Sequence, residues 1–358
     1  MMLILKALFA YHNNRGEGFI YKSCGACCCI QKIFKYYTLK TLMIIQNLLL
    51  FIVWCVVLVV SGTLLVKSLS KISYFLKLTE FVTAFIIMGV STSLPELFVG
   101  ITASIAKDNS IALGTVIGSN IADLSIVLGI SVLLAGQIKF EYSKVKSDAT
   151  YMFFIALLPM VLMFLGNGIS RIDGAILVAV FIAYSYRLIR TSKAYKKELE
   201  EKVKRWSIVG YVFLFIACIV GLMYSANSVV NYGTKLSIDL LVPPIFIGIF
   251  FIAIGTSLPE LVFNVVSIRK GHAEFALGDI MGSVIANSVL VLGVTALIWP
   301  ITANFFLFFT SAAFMIFVCL IFLTYVWSSD RLFAMEGIAL VMFYILFLIV
   351  ELNLKGYF

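Results

Sequence analysis

A chain of 358 residues that is 62% hydrophobic and only 13% charged, with a mean hydropathy of +1.08, is excluded from the water-soluble globules, which run near ~45–50% apolar and ~25% charged. Its formal net charge of +9 does not point to nucleic acid, because membrane proteins carry Lys and Arg in their loops to set topology. Lipid is therefore the solvent, and the long, non-alternating apolar runs predict spanning helices rather than a barrel.

The first segment, residues 1–42, reads as a tail, either non-native or disordered. It mixes a short apolar start, aromatics and a Cys cluster (Cys24, Cys27, Cys28, Cys29), and the working chain is expected to begin near Met43. Cys24 and Cys27 form a C-x-x-C pair, but no second Cys or His pair follows at zinc spacing. No cleavable signal peptide is evident. Cys55, Cys218 and Cys319 stand singly in apolar runs and read as packing residues.

Ten spans are predicted, at 43–66, 79–105, 111–136, 149–166, 171–190, 207–231, 240–268, 275–299, 304–326 and 333–353. Each holds close to the roughly 20 apolar residues that a crossing needs. Between the fifth and sixth lies a strongly charged stretch, 191–206, which reads as a solvated linker between two five-helix halves, 43–190 and 207–358. Loops after odd spans carry 17 Lys and Arg; loops after even spans and the C-terminus carry only Lys107, Arg171, Lys235 and Lys355. The positive-inside rule then places the 191–206 loop in the cytoplasm and both termini outside. Six basic residues in the tail conflict with an outside N-terminus, a second reason to read the tail as non-native.

An internal repeat emerges on shifting the chain by 164 residues. Thr92-Ser-Leu-Pro-Glu-Leu97 falls on Thr256-Ser-Leu-Pro-Glu-Leu261, and 16 of the 38 positions from 92 to 129 match without a gap. Copies separated by five spans insert in opposite orientation, the inverted-repeat plan of many secondary transporters. The predicted fold class is an all-α membrane protein of ten transmembrane helices, arranged as two inverted five-helix repeats with broken helices at the site.

Chemistry concentrates in the repeated segments. Glu96 and Glu260 sit mid-span, where a carboxylate costs roughly 2.5–3.5 kcal/mol or more and needs a partner, an ion or a proton. Pro95 and Pro259 precede them, each removing a helical hydrogen bond. The carbonyls released near Ser91–Thr92 and Gly255–Thr256 need a donor or a cation in lipid. Thr92 and Glu96 share a helix face, as do Thr256 and Glu260, Ser119 and Asp123, and Ser283 and Asn287. Four faces thus present hard oxygen donors, which suit Ca²⁺ and Na⁺. Gly114 with Gly118, and Gly278 with Gly282, form small-residue faces for close helix approach. Asp279, Ser283 and Asn287 line one face, so Asp279 reads as an extra ligand or proton carrier, or else as a solvated carboxylate near the membrane surface.

GVSTSLPE (89–96) with GTVIGSNIAD (114–123), and AIGTSLPE (253–260) with GDIMGSVIAN (278–287), resemble the α-repeats of the Ca²⁺/cation antiporter superfamily, and within it the compact prokaryotic Na⁺/Ca²⁺ exchanger branch. The resemblance covers both motif regions and the ten-span plan, about residues 43–353. It implies that Glu96 and Glu260 are the main Ca²⁺ carboxylates, with Thr92 and Thr256 giving carbonyls. Ser93, Ser119, Ser257 and Ser283 would serve flanking Na⁺ sites, aided by backbone at Gly89 and Ala253, and Asp123 and Asn287 would line the middle. Several positions depart from the family pattern. The Asp and Asn of the two repeats are exchanged, Thr115 and Asp279 stand where Asn is common, Val284 is the mate of Asn120, and Gly255 the mate of Ser91.

The function implied is secondary antiport, Na⁺ against Ca²⁺, by alternating access at a midplane site of carboxylates and hydroxyls. The chain is expected to be no enzyme and to use no cofactor, the transported ions binding as substrates. Its partners would be the lipid bilayer, Ca²⁺ and Na⁺, with no nucleic acid and no obligate protein partner, in a prokaryotic plasma membrane. Three buried carboxylates (Glu96, Asp123, Glu260) give up to three negative charges; one Ca²⁺ or a few Na⁺ can neutralise most of that, while both together would overcharge and crowd the site, so competition yields exchange. The first and sixth spans would be the sliding elements. Alternatives are Ca²⁺/H⁺ or K⁺-dependent exchange, a passive channel and, remotely, an intramembrane aspartyl protease on Asp123 and Asp279.

Overall fold

The computed structural model describes residues 26–75, 89–140, 142–192, 205–240, 246–269, 273–302 and 305–354. The chain divides into two compact units, Met1–Gln46 and Asn47–Phe358. What is described of the first is helical, part of α1 (Ala26–Phe75), so residues 26–42 of the expected tail are helix. The rest of the tail, most of the charged linker (193–204) and the start of the second predicted span (79–88) lie outside the described residues.

Nearly every other described element is a helix, and the chain is a multi-pass integral membrane protein. After α1 come α2 (Gly89–Thr92), α3 (Leu94–Ile105), α4 (Asn109–Ala122) and α5 (Leu128–Ala135). The first half closes with strand β1 (Gln137–Lys139), α6 (Tyr142–Gly166) and α7 (Arg171–Ser192). The second half has α8 (Arg205–Leu240), α9 (Ala253–Thr256), α10 (Leu258–Arg269), α11 (Ala273–Ile285) and α12 (Leu292–Ile298). It ends with α13 (Phe305–Ser328), β2 (Arg331–Phe333) and α14 (Ala334–Leu354). Single π-helical turns join α4 to α5 (Asp123–Val127) and α11 to α12 (Ala286–Val291), and a third, Ile247–Ile252, leads into α9.

Among the described residues, eight helical stretches are long and apolar enough to cross a membrane. Two more apolar stretches, Leu94–Ile105 and Ile247–Thr256, are shorter. They belong to the second and seventh predicted spans, which a turn at Ser93 and at Ser257 interrupts. The turn residues sit at φ −79°, ψ 0° and φ −82°, ψ 1°, in the sparsely used bridge region between helix and strand. Pro follows two residues later in both, so the helix restarts with its proline in the first turn, where a missing N–H costs least.

Depth of burial separates the helices. The spans Asn109–Ala135 and Ala276–Ile298 are 83% buried over their most apolar windows, against 17–39% for the other six. These two are the central helices, and the others carry large apolar side chains outward, among them Leu165, Ile172 and Phe213. Such an exterior matches lipid. A separate apolar cluster joins α1 (Phe51, Leu58, Leu65) to α8 (Cys218, Leu222, Val229) and to Val99 and Ala103 of α3. α1 and α8 approach closely where Gly221 faces Ser61.

Pairs of contacts are exchanged by the 164-residue shift. β1 pairs antiparallel with β2, Gln137 opposite Phe333. Ile169 pairs with Ile301, and these are the shifted mates of Phe333 and Gln137. Gly129 meets the carbonyl of Gly337, and its mate Gly293 meets that of Gly174, one residue past the shifted position of Gly337. A Cβ on Gly89 would lie 2.8 Å from Gly282, and one on Gly118 would lie 2.7 Å from the Cβ of Ala253, their mates. Small residues are required at these crossings because any side chain would separate the backbones.

Candidate cation site

The two interrupted helices deliver their motifs to the two central helices. α2 and α3 pack against α11 and α4, and α9 and α10 pack against α4 and α11. Thr92, Ser93, Glu96, Ser119, Asp123, Thr256, Ser257, Glu260, Asp279, Ser283 and Asn287 are all buried, none more than 3% exposed. Gly89 and Ala253 are buried against the opposing central helix.

Hydroxyls stitch one half to the other. Ser119 Oγ donates to Glu96 Oε1 at 3.2 Å and lies 3.3 Å from Thr256 Oγ1, sharing a hydrogen bond with it. At the shifted positions, Thr92 Oγ1 and Ser283 Oγ share a hydrogen bond at 2.9 Å. Thr92 Oγ1 also reaches Asp279 Oδ1 at 3.4 Å, and Ser93 Oγ reaches the carbonyl of Ser283 at 3.5 Å.

Backbone oxygens at the ends of α2 and α9 lie beside these hydroxyls. Gly89 O accepts only a long 3.4 Å bond from Ser93 N, and the hydroxyls of Thr92 and Ser283 approach it at 3.3 and 3.5 Å. In the second copy Thr256 Oγ1 bonds the carbonyls of Ile252 and Ala253. Backbone oxygens at Gly89 and Ala253 therefore border the hydroxyls, and that of Ala253 also accepts from Ser257 N at 3.0 Å.

What the hydroxyls leave over is acidic. Among the described residues, neither carboxylate oxygen of Asp123 has a hydrogen-bond partner, nor do Glu96 Oε2, Glu260 Oε2 and Asp279 Oδ2. Both amide atoms of Asn287 are likewise unpartnered there, and the Ser257 hydroxyl adjoins Asp123 without the alignment of a hydrogen bond. The carboxyls are electrostatic neighbours: Asp123 feels Glu96 and Asp279, and Glu260 feels Glu96, Asp123 and Asp279. Four buried carboxyls facing one region repel one another strongly at low effective dielectric unless cations or protons occupy it. No three His, Cys, Asp or Glu side chains among the described residues cluster as a ready metal cage. The donor set is instead carboxylate, hydroxyl, amide and carbonyl oxygen, which suits hard cations held transiently.

Some expectations change. Asp279 is 0% exposed, so the reading of a solvated surface carboxylate is wrong: α11 carries it inside, against Thr92. Its mate Thr115 is also buried, but its hydroxyl turns back to Ile111 O at 2.9 Å. Asn264 escaped the sequence reading. It is 0% exposed with both amide atoms unpartnered among the described residues, and its spacing four residues after Glu260 was the available signal. Asn120 bonds Ser288 at 2.9 Å, a tie between the central helices that the repeat alignment does not reveal.

Comparison with known proteins agrees with this geometry. The sodium/calcium exchanger protein family matches residues 46–190 and 210–352. The chain is 30% identical to the sodium/calcium exchanger MaX1 of Methanosarcina acetivorans, covering 86% of this chain and 99% of that protein. It is 26% identical to the inner membrane protein YrbG of Escherichia coli, over 78% of this chain and 89% of YrbG. A solved structure of the sodium-calcium exchanger NCX_Mj, soaked with Na⁺ and Sr²⁺, superimposes with a TM-score of 0.62 at 25% identity, over 85% of this chain and 98% of that one.

Proposed function

The chain belongs to the sodium/calcium exchanger family, a family of cation antiporters, and from that premise we propose that it exchanges Na⁺ for Ca²⁺ by alternating access at the Glu96–Glu260 site. The observation that carries the reading is the pair of hydroxyl bridges, Ser119–Thr256 and Thr92–Ser283. They bring both T-S-L-P-E copies to the two central helices and, among the described residues, leave carboxylate oxygens without hydrogen-bond partners.

Glu96 and Glu260 hold Ca²⁺ together with the backbone oxygens near Thr92 and Thr256. Ser93, Ser119, Ser257 and Ser283 serve the competing Na⁺ ions, with Gly89 and Ala253 supplying carbonyls and Asp123 and Asn287 lining the middle. Ca²⁺ and a full set of Na⁺ ions need the same oxygens, so binding one expels the other. An empty site keeps unbalanced negative charge, which opposes its passage across the apolar barrier, so only a loaded site switches. The exchanged pairs of contacts support a plan of ten spans in two inverted halves, in which inward-open and outward-open states mirror each other. α1 and α8, packed on one another outside the central helices, are the sliding elements. The membrane is a prokaryotic plasma membrane, with the 191–206 loop cytoplasmic and both termini outside. The ions are the substrates, and the cycle needs no resident cofactor, nucleic acid or obligate protein partner.

Reconstituted vesicles test this. With pH clamped and an uncoupler present, an outward Na⁺ gradient should drive Ca²⁺ accumulation. Accumulation that ignores Na⁺ and follows an imposed pH gradient would replace the counter-ion with H⁺.

A further inference from the structure

The two halves differ where α10 meets α11. Asn264 on α10 and Asp279 on α11 correspond, by the 164-residue shift, to Gly100 and Thr115. In the first half nothing like a binding pair forms. A Cβ on Gly100 would lie 2.5 Å from Thr295 Oγ1, and Thr115 spends its hydroxyl on Ile111 O. In the second half the same two positions carry an amide and a carboxylate side by side. Both residues are 0% exposed. Both amide atoms of Asn264 and Oδ2 of Asp279 lack hydrogen-bond partners among the described residues, so the two groups adjoin without the alignment of a hydrogen bond. Asn264 also lies one helical turn beyond Glu260 on the same face, and Glu260 Oε2 is unpartnered too.

Building on the antiport reading, we infer that Asn264 and Asp279 form an additional subsite for one monovalent alkali cation, present in the second half only. The ligands are Asp279 Oδ2 and Asn264 Oδ1, with Glu260 adjoining and Thr92 holding the other oxygen of Asp279 in place. With Glu260 balanced by the ion of the main site, the one remaining carboxylate and its neutral oxygen donors are balanced by a single positive charge. A divalent ion there would leave a local excess in a low-dielectric interior, where such an excess is costly. The subsite lies between α10 and α11, off the middle of the site. The exchanger therefore carries one more alkali-cation position on that side than its repeat mate provides on the other.

Equilibrium binding of radiolabelled Na⁺, and separately of radiolabelled Rb⁺ as a stand-in for K⁺, to the purified full-length protein tests the subsite without requiring transport. Asp279→Asn and Asn264→Ala should each bind about one alkali cation fewer per chain than the wild type, since one carboxylate balances one monovalent charge. Whichever tracer shows the deficit names the ion. Asp279→Thr, which installs the residue of the first half, should show the same deficit and serves if Asp279→Asn does not fold. Equal tracer counts in the wild type and the folded variants would overturn the subsite. Failure of the antiport reading itself would appear elsewhere, as wild-type vesicles in which no Na⁺ or H⁺ gradient moves Ca²⁺.

Discussion

Ser119 and Thr256, 137 residues apart in sequence, share a hydrogen bond of 3.3 Å in the middle of the protein. Shifting each by one repeat gives Ser283 and Thr92, which share another at 2.9 Å. Neither hydroxyl pair lies within one half. Each T-S-L-P-E motif is therefore held by the central helix of the opposite half, and the acidic residues inherit their positions from that crossing.

Removing the crossing should weaken cation binding. Ser119→Ala deletes the donor to Glu96 Oε1 as well as the bridge to Thr256. Losing a buried partner of an ionisable group costs about 1–3 kcal/mol, which corresponds to a roughly 10- to 100-fold rise in the Ca²⁺ concentration for half-maximal uptake. Concentration-dependent Ca²⁺ uptake in vesicles measures it. Thr256→Val removes the hydroxyl on the other side of that crossing, which also neighbours Glu96, and should weaken binding as well.

Neutralising either repeated carboxylate should end the cycle. Glu96→Gln and Glu260→Gln each preserve shape while removing the negative charge that offsets Ca²⁺ dehydration. Ca²⁺ uptake driven by Na⁺ should fall to background in both variants. Near-normal uptake by either would remove that glutamate from the site.

The close approach of Gly89 to Gly282 should be intolerant of a single methyl. Gly89→Ala puts a Cβ at 2.8 Å from the Gly282 backbone, and overpacking of this kind typically costs about 1–3 kcal/mol. The unfolding midpoint in detergent should drop. Gly118→Ala should behave alike, since its Cβ would meet Ile249 O at 2.7 Å. Gly210→Ala, where nothing lies within 4 Å of the added carbon, is the control.

Asn109 ties the α3–α4 connection to the end of α12. It donates to Trp299 O at 2.6 Å and accepts from Ser104 at 2.9 Å. Asn109→Ala leaves both without that partner and should destabilise by about 1–3 kcal/mol, read by the same unfolding assay. Lys107, at φ 60° and over the Trp299 ring, should lose order with it in hydrogen exchange.

The candidate site is legible in the sequence because both copies of a rare pattern, Pro-Glu within an apolar run, cannot be explained by packing. The i,i+4 spacing of Ser119 with Asp123 and of Ser283 with Asn287 is readable without tertiary information, and both serines meet the opposite half. It does not reveal the depth of Asp279. Hydropathy reports that α11 is apolar but not which face meets protein, and burial of Asp279 depends on Thr92 arriving from the other half. Asn264 is obscured for the same reason, and its mate being Gly100 hides it from the repeat alignment. The short strands at 137–139 and 331–333 leave no periodic signal, for three residues are too few to alternate legibly.

Those strands have a bearing on how the protein is made. β1 is complete only when residues 331–333 exist, and Ile169 finds its partner only at Ile301. A nascent chain released into the bilayer with its first five helices in place would hold two unfinished clasps and glycine faces at 129 and 174 awaiting Gly337 and Gly293. Domains commonly fold in the order they are synthesised; here the half that emerges first stays open until the second arrives. Assembly is therefore a late, joint event, and a truncated product would leave strand edges and close-packing glycine faces uncovered and be a natural target for membrane quality control.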